Sequence, residues 1–391
     1  MVSFNKVTLD TVCDVLNGDR GINYPSSSDL VLYGIPFINA GAIENRKINF
    51  KKVDFITESK YNSLSGAKFE KGDIVFCLRG SLGKYAMLKI GRGAPASSLA
   101  VLRCKSNSLN NKFLFQLLGS EIIEKQILSE NNGSSQPNLS AESVKRFLIP
   151  LPGITEQIAI SGTLSDVDSL IFSLQKLIEK RKAIKQGAMQ ELLTGKKRLP
   201  GFSGEWEKNT LKQICEFING RAYSQHELLS RGKYKVLRLG NLFTNSHWYY
   251  TDLELNEKQY CEKGDLLYAW SASFGPTIWD GEKSVFHYHI WKIKCSEMID
   301  KKYLYHFLNA DVSSILNELQ GGTMFHLTKE NMENRLCSYP NLDEQQAIAQ
   351  VLSDMDCEIE QLEKKLSKYR QIKQGMMQEL LTGRIRITNY L

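Results

Sequence analysis

The chain of 391 residues contains no Pro-Pro pair and no glycine-rich G-x-x-x-x-G-K-[ST] string. An adenine amino-methyltransferase would need an Asn/Asp-Pro-Pro-Tyr/Phe motif to hold its flipped base. A P-loop nucleotide binder would need the glycine-lysine string, and the nearest match, Gly83-Lys84, is followed by Tyr85. Because these catalytic motifs are absent, we expect no catalytic residue in this chain.

Neither the cysteine spacing nor the length of the apolar runs indicates a metal site or a membrane span. The eight cysteines include no Cys-x-x-Cys pair, and scattered single cysteines are typical of reduced core residues in a cytoplasmic protein. No apolar run approaches the roughly 20 residues that cross a bilayer, and the first residues lack the pattern of a signal peptide. We therefore expect a cytoplasmic protein with no metal site. The net charge of +7 is compatible with polyanion binding but does not identify a partner.

What the sequence does contain is a long internal repeat. Residues 156–195 recur without a gap as residues 344–383, at an offset of 188. Both copies read E-Q-x-A-I, then L-S-D-x-D, then I-K-Q-G-x-M-Q-E-L-L-T-G. Solenoid repeats have periods of roughly 20–50 residues, so this period indicates two domain-plus-helix units fused head to tail. We expect a pseudo-two-fold axis between them.

The repeat divides the chain into four segments: 1–150, 151–200, 201–340 and 341–391. The first and third are similar only in outline, since Lys71-Gly72-Asp73 matches Lys263-Gly264-Asp265 while most other side chains differ. The second and fourth are close copies. Similar helices predict identical partners or mutual pairing, and divergent domains predict two ligands read by one geometry. The alternative is a duplication whose halves drifted at different rates.

Apolar periodicity gives a coarse secondary structure of mixed α/β class. Residues 73–78 and 100–104 are predicted strands, and residues 113–128 a helix. Residues 154–195 are predicted helical, with one helix over 168–194 that ends at Gly195. Gly187 and Gly375 lie inside the helical segments, where each glycine costs about 1 kcal/mol of helix stability relative to alanine. Their recurrence at equivalent positions indicates close helix contact or a bend. The apolar positions at three- and four-residue spacing are Leu170, Leu174, Leu177, Ile178, Ile184, Ile359, Leu362, Leu366 and Ile372.

Three further strings complete a family pattern. G-S-S-Q-P-N-L-S occupies residues 133–140, I-P-L-P occupies residues 149–152, and the I-K-Q-G-x-M-Q-E-L-L-T-G string occurs twice. In this combination the whole chain resembles the specificity subunit of type I restriction-modification systems. The second copy departs from the pattern, with Gly322-Thr323-Met324-Phe325-His326-Leu327 and Ser338-Tyr339-Pro340-Asn341. A contact made by Gln136 therefore does not transfer to Phe325.

The resemblance implies a fold and a role. Two target recognition domains would alternate with two long helical conserved regions, which pair as an antiparallel coiled coil. The chain would be non-catalytic, and each domain would read one half of a bipartite, asymmetric double-stranded DNA target. Two methyltransferase subunits would dock on the helices and two restriction (motor-nuclease) subunits would join them. S-adenosylmethionine, ATP and Mg²⁺ would act in those partners, with no cofactor here. Helix pairing and partner docking are expected of Leu170, Leu174, Ile178, Gly187, Ile359, Leu362, Leu366 and Gly375.

Base edges are read by Arg and Lys at guanine, Asn and Gln at adenine, and Ser or Thr at either. The polar loop 79–84 and its counterpart 270–275 share a frame but differ in side chains, as readers of different bases should. Alternatively, Arg79 binds a phosphate instead of a base, and Trp270 is a core residue. The candidate DNA contacts are Arg79, Ser81, Lys84, Ser97, Ser98, Gly133, Ser134, Gln136, Arg238, Asn241, Trp270, Ser271, Ser273, His287, Tyr288, His289 and Thr323, with Asn39 as a weaker one.

Two other function classes remain open. The chain is alternatively a scaffold whose helices bind partners and whose domains bind proteins and not DNA. A standalone nuclease would use Asp280, Glu282 and Lys283, although Asp-Gly-Glu-Lys is also an ordinary hairpin turn. His287 and His289 flank Tyr288 on an alternating run and should face one side. We expect a base-reading patch or an exposed strand face there in preference to a metal pair.

Overall fold

The computed structural model describes residues 4–105, 107–130, 138–243, 246–271, 273–319 and 327–387. The chain divides into two compact units. The first unit comprises Met1–Gln175 together with Lys365–Leu391, and the second comprises Lys176–Lys364. Each unit therefore combines one globular segment with parts of both helical repeats.

The globular part of the first unit contains many short strands. They are β1 (Lys6–Thr8), β2 (Cys13–Asn17), β3 (Leu30–Val31), β4 (Ile35–Ile38), β5 (Ile43–Glu44), β6 (Lys47–Ile48), β7 (Asp54–Ile56), β8 (Ile74–Cys77), β9 (Tyr85–Met87), β10 (Ala94–Pro95), β11 (Leu99–Cys104) and β12 (Leu148–Pro150). Its helices are α1 (Leu9–Val12), α2 (Glu58–Ser63), α3 (Asn111–Leu118), α4 (Glu121–Glu130) and α5 (Ala141–Lys145), followed by α6 (Ile154–Leu192), which continues into the second unit.

The second unit repeats this plan. Its strands are β13 (Glu207–Thr210), β14 (Cys215–Asn219), β15 (Tyr234–Leu237), β16 (Tyr249–Thr251), β17 (Tyr260–Cys261), β18 (Leu266–Ser271), β19 (Ser273–Ile278), β20 (Ser284–Phe286), β21 (Ile290–Cys295) and β22 (Leu336–Tyr339). Its helices are α7 (Leu211–Ile214), α8 (Leu239–Phe243), α9 (Lys301–Leu319) and α10 (Lys329–Glu333), followed by α11 (Leu342–Leu380), whose end belongs to the first unit.

The two units share one sheet topology. The order β2-β11-β8-β9 in the first unit corresponds to β14-β21-β18-β19 in the second. A second four-stranded sheet in each unit contains a parallel pair, β10 with β4 and β20 with β15. The predicted mixed α/β class and the predicted strands at residues 73–78 and 100–104 are confirmed.

The central strands are buried on both faces, which explains their unbroken apolar sequence. In β8, Ile74 and Phe76 enter one core, and Val75 and Cys77 enter another on the opposite face of the sheet. Successive strand side chains alternate in this way because the strand period is two. Each globular segment thus carries one core beneath the long helices and a second core beneath its outer sheet.

The predicted helix over residues 113–128 is wrong in detail, because the chain forms two helices there. Asn110 caps α3 by accepting hydrogen bonds from the backbone N–H groups of Lys112 and Phe113. Gly119 then ends α3, and α4 starts at Glu121. Apolar spacing continues across the junction, so periodicity alone did not reveal the break.

The helices α6 and α11 have 39 residues each, so α6 begins 14 residues before the predicted 168–194 helix. Gly195 and Gly383 follow them with φ of +69° and +76°, the left-handed conformation that glycine adopts at helix ends. Within each unit the described parts of the two helices pair antiparallel, as predicted. Among the described residues, no helix is both long enough and apolar enough to span a bilayer.

The prediction that the cysteines are core residues is correct for five of them and wrong for three. Cys104 and Cys295 are half-buried, and Cys357 is exposed on α11. Cys104 and Cys295 are the last residues of β11 and β21, and residue type alone does not separate these positions from buried ones. All eight are free thiols.

Candidate nucleic-acid interface

Reciprocal ion pairs join the two helical repeats. In the first unit the guanidinium of Arg386 donates two hydrogen bonds to the buried carboxylate of Glu156, both of 2.7 Å. In the second unit Arg198 binds Glu344 in the same bidentate way, at 2.6 and 2.5 Å. Both Arg and Glu are shifted by 188 residues between the pairs. Arg198, in the basic run Lys196-Lys197-Arg198 that follows α6, is therefore an ion-pair residue and not only part of a charged linker.

A second pair of contacts follows the same exchange. Lys373 Nζ donates to Asp168 Oδ1 at 2.6 Å in the first unit, and Lys185 Nζ donates to Asp356 Oδ1 at 2.5 Å in the second. Burial opposes the charge on Asp168, but hydrogen bonds from Lys373 and Gln116 outweigh it and lower the pKa of that carboxyl. Burial, and then the neighbouring Arg46, lower the pKa of Lys373.

The glutamine of each E-Q motif fixes the start of a long helix to its globular segment. Gln157 accepts from the backbone N–H of Asn110 at 2.7 Å and donates to the carbonyl of Pro152 at 2.9 Å. Gln345 does the same with Asp300 and Pro340, at 2.8 Å each. Sequence reasoning quoted these repeated polar residues without assigning them a role. The signal was available, because buried polar residues recur at one offset on helices.

In the first unit, loop 79–84 connects β8 to β9 and is polar and accessible. Arg79 and Lys84 are exposed, and Ser81 is half-buried. Arg79 Nε donates to Asn138 Oδ1 at 3.1 Å, and Asn138 follows the G-S-S-Q-P string directly. The structure therefore brings one predicted loop to the edge of the other motif.

In the second unit the counterpart of that loop is a tight hairpin, since β18 runs to Ser271 and β19 starts at Ser273. Trp270 is half-buried, and its ring stacks on Trp291 at 5.5 Å between centroids. Its indole N–H donates to the carbonyl of Tyr288 at 2.8 Å. Trp270 thus forms the edge of the core and also the border of an aromatic surface.

His287, Tyr288 and His289 form the turn between β20 and β21, so the predicted alternating strand is wrong. Their rings nevertheless cluster, with 4.9 Å between the two imidazole centroids. Burial, and then His289 and Arg238, lower the pKa of His287 to about 4, which leaves that imidazole neutral near pH 7. Among the described residues no group of three or more potential metal ligands lies together.

The equivalent turn of the first unit contains Ser97 and Ser98, between β10 and β11. Identical backbone hydrogen bonds hold both turns in place. Leu78 N–H donates to Ser98 at 2.8 Å, as Trp270 N–H donates to the His289 carbonyl at 3.2 Å. Ala96 and His287 donate in the same way to the ends of β4 and β15, at 2.8 and 2.9 Å. Equivalent backbones therefore carry two hydroxyls in one unit and two imidazoles with a phenol in the other.

Three further predicted residues lie beside these turns. Asn39 caps a short 3-10 helix and donates to Asp54 at 2.9 Å. Asn241 accepts from the Arg238 backbone at 3.1 Å and donates to the carbonyl of His247 at 2.8 Å. The guanidinium of Arg238 lies 5.3 Å from the ring centroid of Tyr249. Both asparagine side chains thus make hydrogen bonds to backbone groups beside these turns.

Sequence reasoning missed Arg221 and Tyr223, which border the second turn. The carbonyl of Arg221 accepts from Tyr288 N–H at 3.1 Å, and the Tyr223 ring stacks near His287 at 6.5 Å. The Asn-Gly pair that precedes Arg221 matches Asn17-Gly18 and was the available signal. Gly133, Ser134, Gln136 and Thr323 lie outside the described residues, as does the side chain of Ser273.

The predicted helix-pairing residues divide into two groups. Leu174, Ile178, Ile359 and Leu366 are buried and Leu362 is half-buried, while Leu170 is exposed. Leu177, Ile184 and Ile372 are also exposed, so the apolar stripe is wider than the surface that the chain itself buries. A Cβ on Gly187 or Gly375 would meet no described heavy atom within 4 Å. The expected close helix contact at these glycines is therefore wrong.

The nuclease-like string is part of a surface ion-pair network. Residues 280–283 connect β19 to β20, which lie in different sheets, so this is not the hairpin turn that we predicted. Lys235 binds Glu282 at 2.6 Å, and Lys283 binds Glu257 at 3.1 Å and Glu262 at 3.2 Å. Glu282 and Lys283 are therefore engaged in surface ion pairs.

The sequence matches the family model described as type I restriction modification DNA specificity domain over residues 1–186 and 203–369. This chain belongs to the type I restriction-modification specificity subunit family. It is 26% identical over 323 residues to the type I restriction enzyme MjaVIII specificity subunit of Methanocaldococcus jannaschii, covering 76% of each chain. It is 23% identical over 186 residues to the EcoBI specificity subunit of Escherichia coli, covering 46% of this chain and 39% of that one.

Solved structures show the same fold. The S subunit of a type I restriction-modification system from M. genitalium superposes with a TM-score of 0.63 at 19% identity, over 97% of this chain and 96% of that one. A chain from a structure concerned with complex assembly and conformational transition of the type I R-M system gives a TM-score of 0.60 at 17% identity, over 98% of both chains.

Proposed function

We propose that this chain is the non-catalytic DNA-specificity subunit of a type I restriction-modification complex. Each recognition face, which is the surface around turn 96–98 in the first unit and around turn 287–289 in the second, reads one half of a bipartite, asymmetric double-stranded target. The observation that carries this proposal is the pair of equivalent turns, 96–98 and 287–289, which have the same backbone bonds and unrelated side chains. One backbone geometry that carries two different sets of side chains suits two different half-sites in one DNA molecule.

The chemistry of the faces suits major-groove reading. In the first unit the exposed Arg79 and Lys84 offer cations, and Ser97 and Ser98 offer hydroxyls. In the second unit Arg238 and the rings of the 287–289 turn offer a guanidinium, imidazoles and a phenol. Guanidinium groups select guanine edges, and hydroxyls accept or donate to several bases. The strings around Gln136 and Thr323 are proposed phosphate or base contacts.

The helices serve this function in two ways. They set the separation of the half-sites, because a helix lengthened by four residues grows by about 6 Å, near two base-pair steps. They also recruit partners through apolar side chains that the chain leaves exposed. Ile184 and Ile372 are equivalent in the repeat and are 43% and 39% exposed. Two identical docking surfaces suit two copies of one methyltransferase subunit.

The activities belong to the partners. Two methyltransferase subunits carry S-adenosylmethionine and methylate adenine, and two restriction subunits carry ATP and Mg²⁺. This chain supplies sequence specificity, works in the cytoplasm and holds no cofactor. The segments 1–150 and 201–340 are the recognition domains, and 151–200 and 341–391 are the helical spacers.

Selection from a random DNA library tests the proposal directly. The full chain is assembled with its proposed methyltransferase subunit, and bound DNA is sequenced. We expect a split consensus with a fixed gap. Trp270→Ala should relax one half of that consensus, and the other half serves as the internal control. Partner binding without any enriched DNA sequence would favour the scaffold alternative.

A further inference from the structure

A two-residue hairpin in the first unit directs an arginine toward the long helices. Asn45 and Arg46 join β5 to β6, and both have positive φ, of 48° and 62°. Residues other than glycine seldom adopt this conformation, but two in succession match the twist of a hairpin. The strained turn therefore fixes the direction in which the Arg46 side chain leaves the backbone.

The Arg46 guanidinium lies where four elements converge. It donates to Gln116 Oε1 on α3 at 3.3 Å and lies 3.6 Å from the Asp168 carboxylate on α6. The same carboxylate binds Lys373 on α11 at 2.6 Å. The guanidinium carbon is 4.4 Å from the Phe115 ring centroid. A planar cation between a carboxylate and an aromatic ring is a geometry that arginine holds and lysine does not.

Arg46 also contacts the strand that follows the recognition loop. Its guanidinium carbon is 5.4 Å from the ring centroid of Tyr85, the residue directly after Lys84. A cavity between hairpin and loop is lined by Asn45, Arg46, Leu82 and Lys84, among others. The side chain thus spans the distance between loop 79–84 and the helix pair.

We propose that Arg46 is a positioning residue, which holds loop 79–84 in a fixed orientation on the helix pair through Tyr85 and Asp168. This inference rests on the proposed function, because the orientation of the loop decides at which distance the first half-site is read. Without Arg46 the loop keeps its side chains and loses its fixed place. Base preferences then persist while the tolerated gap between the half-sites widens.

The test compares Arg46→Ala with Arg92→Ala in the full chain, expressed with its methyltransferase subunit, by sequencing methylated genomic DNA. Arg92 is a matched control, since it pairs with Glu58 and lies 5.2 Å from the Tyr61 ring centroid in the same unit. For Arg46→Ala we expect several-fold less methylation at the native target. New methylated sites should appear whose gap differs by one base pair, with both half-sites unchanged.

Identical motifs in Arg46→Ala and Arg92→Ala would overturn this role, and so would a uniform loss of methylation without new gap lengths. Arg46→Lys keeps the charge beside Asp168 and loses the planar stacking, so it should yield fewer altered-gap sites than Arg46→Ala. An equal fraction of altered-gap sites in Arg46→Lys and Arg46→Ala would also contradict the proposal. Failure of the wild-type chain to give a split motif would instead refute the proposed function itself.

Discussion

Lys373 donates a hydrogen bond to Asp168 at 2.6 Å, and Lys185 and Asp356 make the equivalent bond at 2.5 Å in the other unit. Each lysine comes from one copy of the helical repeat and each aspartate from the other copy. Every repeat therefore supplies an acid to one unit and a base to the other. This exchange accounts physically for two near-identical helices beside two divergent globular segments.

The first prediction concerns the Asp168–Lys373 pair. Removing one partner of a buried pair costs roughly 3–5 kcal/mol, and about 1–3 kcal/mol is expected here because exposure to water weakens such pairs. The Asp168 side chain is 32% exposed. Asp168→Asn and Lys373→Gln should each increase hydrogen exchange in first-unit peptides. The double variant should lose less stability than the sum of the losses in the two single variants. Strictly additive losses of stability would show that the two residues do not interact.

The second prediction concerns acid stability of the second unit. Burial, and then Lys185, lower the pKa of His306 to about 4, below the usual histidine value of about 6.5. The unfolded chain therefore binds more protons between these values, and stability falls as pH drops from about 6.5 toward 4, by up to about 3 kcal/mol. Above pH 6.5 this contribution is fully present. Gln116 occupies the equivalent place in the first unit, so His306→Gln should reduce the loss of stability below pH 6.5.

Urea unfolding followed by tryptophan fluorescence measures this effect in one unit. All five tryptophans lie between Trp206 and Trp291, within the second unit. We expect the midpoint of the wild-type chain to fall more steeply below pH 6.5 than that of the variant. Parallel pH profiles would contradict the assignment to His306.

The third prediction concerns partner docking. Ile184→Asp combined with Ile372→Asp should abolish co-purification of the methyltransferase subunit, because an exposed apolar face becomes charged. The chain itself should remain folded, since both side chains are exposed. Leu128→Asp, at a leucine that is 63% exposed on α4, is the control and should bind normally. Unchanged binding in the double variant would place docking elsewhere.

The fourth prediction concerns paired cysteines at equivalent places in both units. Cys13 lies opposite Cys104, and Cys215 lies opposite Cys295, on antiparallel strands. Hydrogen bonds from Lys105 to Val12 and from Ser296 to Ile214 flank them, which makes both pairs non-hydrogen-bonded positions with Cα atoms about 4.5 Å apart. That spacing permits a disulfide.

Hydrogen peroxide should therefore link each pair, with two thiols giving one disulfide and peroxide giving two waters. Oxidation should be slow at neutral pH, because burial raises the pKa of Cys295 to about 11 and thiolates are the reactive form. Mass spectrometry of non-reduced digests is the measurement. The exposed Cys357 is the control, since it should be modified without a partner. Absence of both linked peptides after extended oxidation would contradict the geometry.

The sequence predicted the elements that follow simple periodicity or an exact repeat. Strands buried on both faces, such as β8 and β11, stand out because they are continuous apolar runs. The antiparallel helices followed from the doubled string and the family resemblance. The helix end at Gly195 followed from the left-handed conformation that glycine adopts without strain.

Other features depend on distant contacts and were not readable. The break at Gly119 lies within continuous apolar spacing, and the turn at His287 lies within an alternating run. The exposure of Ile184 cannot be distinguished from the burial of Ile178 by residue type, because both are isoleucines on one helix. The role of Arg198 depends on Glu344, which lies 146 residues away. Long-range pairs of this kind are decided by tertiary structure and not by local propensity.

In the proposed function, the equivalent turns 96–98 and 287–289 read two different half-sites. This is tested by sequencing N6-methyladenine in a host that expresses this chain with its methyltransferase subunit, with Tyr288→Ala as the second sample. We expect a split asymmetric motif with methyladenine in each half, and a change in only one half for Tyr288→Ala. A continuous motif, or a change in both halves, would refute the reading of two half-sites by the two turns.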